Sequence, residues 1–172
     1  MKFGGTSVGD AGSITNVAEI IKSNAVKKPV VVVSAVKGIT DKLIELGNAA
    51  ARGKGEDILD DIKRRHHEIL EKLNLEKKLL DKGFNELQKA VKSANGKMLD
   101  AKERDLFQSF GERMSSKIVA AQLNKIGVKS EAFDSWELGF VTTADFGNSE
   151  PLEGTYIALK KSIEKLNLVP VI

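Results

Sequence analysis

The chain has 172 residues, enough for one domain with a substantial core; 41% of them are hydrophobic and 30% are charged. Cysteine is absent, which excludes disulfides, thiolate catalysis and thiolate metal ligands, and the 27 basic residues are interleaved with 24 acidic ones, which argues against nucleic-acid binding. No apolar run approaches the roughly 18 residues that span a bilayer. We therefore expect no membrane partner and a cytoplasmic location.

The first part of the chain alternates short apolar runs with helical patterns. A first strand is expected to precede the segment from Lys2 to Ser7, and Asp10 is a candidate cap for a helix that continues to about Ser23 with one apolar face. The β-branched run 29–34 predicts a strand that is apolar on both faces, as in a parallel sheet. Thr40 then predicts the cap of a second helix.

The rest of the chain predicts a helical insertion followed by a return to alternating elements. The insertion covers 56–100 and contains two helices. After it we expect, in chain order, a helix over 101–126, strands over 128–133 and 138–142, a helix from Pro151 to about 167, and a strand over 168–172. This alternation predicts an α/β fold with a mainly parallel sheet sandwiched by helices. The apolar run at the end predicts a domain that continues beyond Ile172.

No metal site is expected. His66 and His67 are adjacent, so on a helix they point about 100° apart and do not share a metal ion. We expect both to lie on a solvated, charged helix face.

The segment that follows the first strand combines a cation with two glycines. Glycine lets the backbone turn sharply and point its N–H groups at an anion, and Lys2 supplies a mobile positive charge beside Gly4 and Gly5. A tight turn with a surface lysine explains the same pattern, so it remains open at this point whether the segment binds phosphate.

Two further segments carry polar residues where a parallel sheet places ligands, beyond the carboxyl ends of its strands. Ser34 and Thr40 lie on a strand-to-helix turn; Thr40 is either a simple helix cap or part of a carboxylate site at the helix N-terminus. Glu112 stands beside an apolar helix stripe, where it either approaches the amino group of a ligand or is an exposed, ion-paired glutamate.

Taken together, three segments resemble the signatures of aspartokinases, which belong to the amino acid kinase superfamily. They are Lys2-Phe3-Gly4-Gly5-Thr6-Ser7-Val8, then Val32-Val33-Ser34-Ala35 with Gly38-Ile39-Thr40, and finally Ser109-Phe110-Gly111-Glu112-Arg113-Met114-Ser115. The resemblance implies that 1–172 is the N-terminal portion of a catalytic domain that transfers a phosphoryl group from ATP to the side-chain carboxylate of aspartate. The product, 4-phospho-aspartate, leads to lysine, threonine and methionine.

The resemblance also implies the roles of individual residues. Lys2 would be the catalytic cation; Lys2, Phe3, Gly4 and Gly5 would contact the ATP phosphates; and Ser34, Thr40 and Glu112 would bind aspartate, with Glu112 on its amino group. ATP would bring Mg²⁺, no metal would be held by the chain alone, and the full-length protein would be a homo-oligomer.

Two other functions remain open: a kinase of another small carboxylic amino acid, of the glutamate or acetylglutamate type, and a non-catalytic regulatory module that binds an amino acid. The family's second glycine-rich segment and its adenine-binding region are expected beyond Ile172. We therefore expect residues 1–172 alone to be inactive.

Overall fold

A computed structural model describes all residues, 1–172. Its elements, in chain order, are β1 (Lys2–Phe3), α1 (Ala11–Ser23), β2 (Val32–Val33), α2 (Ile39–Ala50), α3 (Glu56–Lys72), α4 (Asp81–Ala94), α5 (Ala101–Lys125), β3 (Ser130–Ala132), α6 (Thr155–Glu164) and β4 (Val169–Val171). Short 3₁₀ helices occupy Ala25–Lys27, Lys77–Leu80 and Ser135–Leu138. None of the helices is both long enough and apolar enough to cross a bilayer.

The strands form one parallel layer in the order β1-β2-β4-β3. β1 pairs in parallel with β2, and β3 with β4. The two pairs are joined because the Val31 N–H donates to the Pro170 carbonyl and the Val33 N–H donates to the Ile172 carbonyl, both at 2.9 Å. The predicted parallel α/β architecture is thus confirmed.

The layer has a covered face and a more open one. Val31, Val33 and Val171 are buried on the first face, where α1 and α5 pack together. Val32 points the other way and is 39% exposed, so the apolar run is buried on one face rather than on both. α6 follows β3 and packs against the 3₁₀ helix Ser135–Leu138.

The predicted helices over 56–94 are α3 and α4, and they pack into the main core. Ile62, Leu70 and Leu87 are wholly buried members of the same apolar cluster as the sheet. His66 is also wholly buried, so the prediction that it lies on a solvated face was wrong. It occupies the apolar stripe of α3, one turn after Ile62, and packs edge-on against Phe84 at 5.9 Å between ring centres.

Three local predictions need correction. Thr40 is not the cap of α2: the helix begins at Ile39, and its cap is Gly38, in the left-handed region at φ 79°. Residues 138–142 are not a strand, since a 3₁₀ helix ends at Leu138 and Thr142 makes only an isolated antiparallel bridge to Pro151. Pro151 therefore does not open the last helix, which begins at Thr155.

Candidate functional site

The three segments singled out in the sequence meet at the carboxyl edge of the sheet. The carboxylate of Glu112, on α5, accepts a hydrogen bond from the backbone N–H of Ala35 at 3.2 Å, directly after β2. This bond engages Oε1 and leaves Oε2 without a protein partner. Glu112 is therefore a tethered acceptor beside Ser34 rather than an exposed, ion-paired helix residue.

Two glycines allow these segments to approach so closely. A Cβ on Gly111 would lie 2.6 Å from the Cβ of Ala35, and a Cβ on Gly5 would lie 3.0 Å from the Ala35 carbonyl oxygen. The first distance is shorter than side chains tolerate and the second is a tight contact, so a side chain at position 111 would push α5 away from the end of β2, and one at position 5 would crowd the Ala35 carbonyl. Ala35 is thus the point where the β1 loop, the β2 loop and α5 come together.

The loop after β1 leaves space for an anion. The Ser7 N–H donates to the Gly4 carbonyl at 2.9 Å and closes the turn, while a Cβ on Gly4 would meet no atom within 4 Å. Lys2 is exposed, and its ammonium group has no carboxylate partner within the chain. Phe3 accepts a backbone bond from Ser34 at 3.0 Å, which ties this loop to the β2 loop.

Ser34 and Thr40 flank the short turn between β2 and α2. Both are partly buried. Gly38 supplies no side-chain cap, so no side chain accepts a hydrogen bond from the first N–H groups of α2. These groups lie, with Thr40, at the end of α2 that adjoins the turn. Such a helix end favours a carboxylate.

A cavity of about 250 Å³ lies beside Glu112, beyond the carboxyl ends of β3 and β4. It is lined by Ser109, Glu112, Arg113, Ser116, Phe133, Asp134, Ser135, Trp136 and Ile172. The cavity and the Glu112–Ala35 contact both lie beyond the carboxyl ends of parallel strands, where open α/β folds bind ligands.

The far wall of the cavity contains charged residues to which the sequence analysis gave no role. The Arg113 Nε donates to both carboxylate oxygens of Asp134, at 3.1 and 3.2 Å, and its Nη2 donates to Glu86 at 2.7 Å. The available signals were the place of Arg113 in the segment Ser109–Ser115 and the position of Asp134 just after a predicted strand. The region contains three carboxylates, those of Glu86, Glu112 and Asp134, and one guanidinium, which favours a ligand with an ammonium group.

The structure contains no group of three or more His, Asp or Glu side chains arranged to bind a metal ion. A Mg²⁺ ion held mainly by phosphate oxygens would not require such a group.

Comparison with known proteins agrees with the geometry. Residues 1–172 match the amino acid kinase family. The chain is 37% identical to chloroplastic aspartokinase 2 of Arabidopsis thaliana, over 100% of this chain and 34% of that protein, and 30% identical to the lysine-sensitive aspartokinase 3 of Escherichia coli, over 98% and 37% respectively. The crystal structure of E. coli aspartokinase III in complex with aspartate and ADP superposes with a TM-score of 0.83 at 27% identity, covering 99% of this chain and 39% of that one. The chain thus spans about a third of the length of the curated relatives it matches.

Proposed function

This chain belongs to the amino acid kinase family, and on that premise we propose that it forms the aspartate-binding and phosphate-binding portion of an aspartate kinase. The reaction is transfer of the γ-phosphoryl group of ATP to the side-chain carboxylate of aspartate, which gives 4-phospho-aspartate. The observation that carries the proposal is the bond from the Ala35 N–H to Glu112, because it brings an unneutralised carboxylate to the end of β2 beside an anion-accepting glycine loop.

The proposed chemistry depends on positioning and electrostatics. The aspartate carboxylate is ionised at neutral pH and attacks without a general base. Lys2 neutralises the charge that develops on the transferring phosphoryl group, and the backbone of Phe3, Gly4 and Gly5 contacts the phosphates. Mg²⁺ bound to the ATP oxygens supplies further neutralisation.

The substrate amino acid contacts the other side of the site. Glu112 accepts hydrogen bonds from its ammonium group through the free Oε2, and the charge assistance makes these contacts strong. The hydroxyls of Ser34 and Thr40, together with the N-terminus of α2, receive a carboxylate.

The test is steady-state kinetics on the enzyme expressed at the full length of its gene, with aspartyl phosphate trapped as hydroxamate. Lys2→Ala is expected to lower kcat by about 100-fold or more, and Glu112→Gln to raise the KM for aspartate by about tenfold with a small change in kcat. Lys160→Ala and Glu164→Gln are matched controls on the exposed face of α6, where these two side chains pair only with each other at 3.8 Å.

Three outcomes would contradict the proposal in different ways. Higher activity with glutamate than with aspartate would favour a kinase of the glutamate type. Aspartate binding without ATP consumption would favour a regulatory module. Unchanged kinetics in both site variants would discard the assignment of these residues.

A cytoplasmic location and a homo-oligomeric state remain predictions; the Arabidopsis relatives are named as chloroplastic proteins.

A further inference from the structure

Arg113 lines the cavity beside Glu112, and the proposed reaction gives it no role. It follows Glu112 on α5 but points about 100° away around the helix. Through the pairs with Asp134 and Glu86, one guanidinium connects α5 to α4 and to the segment after β3. The Arg113 side chain is only 16% exposed, in contrast to 64% for Arg64, which also pairs with two carboxylates.

Two aromatic rings fix the orientation of the Arg113 guanidinium. Its Cζ lies 5.0 Å from the ring centre of Phe110 and 5.3 Å from that of Trp136. A guanidinium that is planar, stacked and paired in this way has little freedom to turn. The position of Trp136 in the cavity wall is therefore coupled to Arg113.

Asp134 transmits this constraint to the rest of the wall. The Glu137 carboxylate accepts a hydrogen bond from the Asp134 N–H at 2.8 Å, and the Glu137 N–H donates to the Asp134 backbone carbonyl at 2.9 Å. These bonds close the start of the 3₁₀ helix Ser135–Leu138, whose first two residues line the cavity with Glu112. Arg113 thus anchors the turn that faces Glu112.

The distribution of charged side chains around the cavity suits an amino acid as the ligand. Arg113 pairs with Asp134 and Glu86 and offsets one of their two negative charges, so Glu112 remains the carboxylate of the cluster without a basic partner. An amino acid with an acidic side chain brings one ammonium and two carboxylates. Without the guanidinium, Asp134 and Glu86 would repel both substrate carboxylates.

We propose that Arg113 is a positioning residue of the amino-acid site. It does not contact the substrate; it holds the Asp134–Trp136 wall against α5 and engages both Asp134 and Glu86, offsetting one of their two charges, so that Glu112 is the carboxylate left free to receive the ammonium group. This inference rests on the proposed function, because it assumes that the cavity beside Glu112 receives the amino acid.

The test compares Arg113→Gln, Arg113→Lys and Asp134→Asn with the unmodified enzyme at the full length of its gene. Arg113→Gln and Asp134→Asn are each expected to raise the KM for aspartate by about tenfold, with kcat changed less than about threefold and the KM for ATP unchanged. Arg113→Lys keeps the charge but cannot bond both carboxylates as the planar guanidinium does, so its KM for aspartate should fall between that of the unmodified enzyme and that of Arg113→Gln. The Gln/Asn double variant should be no worse than the poorer single variant, because the two residues act as a unit.

Arg64→Gln is the control for loss of an arginine with two carboxylate partners, and it should leave all constants unchanged. If Arg113→Gln does not fold, Asp134→Asn alone decides, because it preserves the size of the side chain. An unchanged KM for aspartate in Asp134→Asn, while Glu112→Gln still raises it, would overturn the role of Arg113 and leave the proposed function intact. A fall in kcat alone would also overturn it. An unchanged KM in Glu112→Gln would instead be a failure of the proposed function.

Discussion

The absence of a side chain at Gly111 allows α5 to pack closely against the end of β2. Adding a Cβ there creates a contact of 2.6 Å with the Ala35 side chain, whose backbone N–H is the donor to Glu112. Gly111→Ala should therefore destabilise the fold by about 1–3 kcal/mol through overpacking, and should weaken aspartate binding by shifting Glu112. Urea unfolding and the KM for aspartate are the two measurements.

Gly83→Ala is the matched control for this prediction. Gly83 also lies in a helix and is buried, but its added Cβ would meet Met114 at an ordinary 3.7 Å. The alanine should stabilise the chain by about 0.5–1 kcal/mol, because glycine lowers helix stability. Equal effects of the two substitutions would show that helix propensity, and not contact with Ala35, governs position 111.

At this residue scale the sequence was informative about which residues matter but not about how they touch. Glu112 could be singled out because its motif resembles that of a family. Its bond to Ala35 could not, since it joins residues 77 positions apart whose distance depends on the packing of α5 on the sheet. Arg113 and Asp134 were missed for the same reason, because ion pairs between elements leave no periodic signal.

At the scale of elements, the buried His66 makes the stability of α3 depend on pH. Burial lowers the pKa of His66 from its ordinary value of 6.5 to about 4, because the charged ring would lose its hydration. The unfolded chain therefore takes up the proton at a higher pH than the folded chain. The free energy of unfolding should be at its full value above about pH 6.5 and fall by about 3 kcal/mol as the pH drops to 4.

Urea unfolding between pH 7 and pH 4 tests this prediction. His66→Gln should remove most of the slope in this window, whereas His67→Gln, one position further along the same helix, should retain it. The Ser13 N–H lowers the pKa of Asp10, and Lys42 and Arg64 lower that of Asp61, below the ordinary 3.8, so the contribution of these carboxylates is lost mainly below pH 4. A slope that survives in His66→Gln would show that another group titrates on unfolding.

Elements with strong periodicity or caps could be predicted, and those determined by weaker signals could not. Asp10 does cap α1, with its carboxylate accepting from the Ser13 N–H at 2.8 Å. Thr40 was mistaken for the cap of α2. The cap is Gly38, which adopts the left-handed conformation and provides no side-chain hydrogen bond to the helix. The strand predicted over 138–142 was wrong because the 3₁₀ helix Ser135–Leu138, which the apolar pattern does not signal, extends into its first residue.

At the scale of the molecule, the site depends on pairing between distant parts of the chain. β2 and β4 are adjacent although most of the sequence separates them, and this adjacency places the cavity beyond the end of β4 beside Glu112. Alternation of strands and helices predicts a parallel sheet, but it does not give the order of the strands. The fold class could therefore be predicted, whereas the position of the cavity required the structure.

Residues 1–172, produced alone, are expected to fold but not to catalyse phosphoryl transfer. A continuous apolar core links the sheet to α1 through α5, so we expect the segment to fold. Phosphoryl transfer needs the acceptor carboxylate and the nucleotide held in line at once, and the family resemblance implies that the adenine-binding region lies outside these residues. The purified segment should therefore give a helical circular dichroism spectrum with a cooperative thermal transition, and no hydroxamate above the background of its own Lys2→Ala variant. Hydroxamate formation that is abolished by Lys2→Ala would show that the segment contains a complete active site.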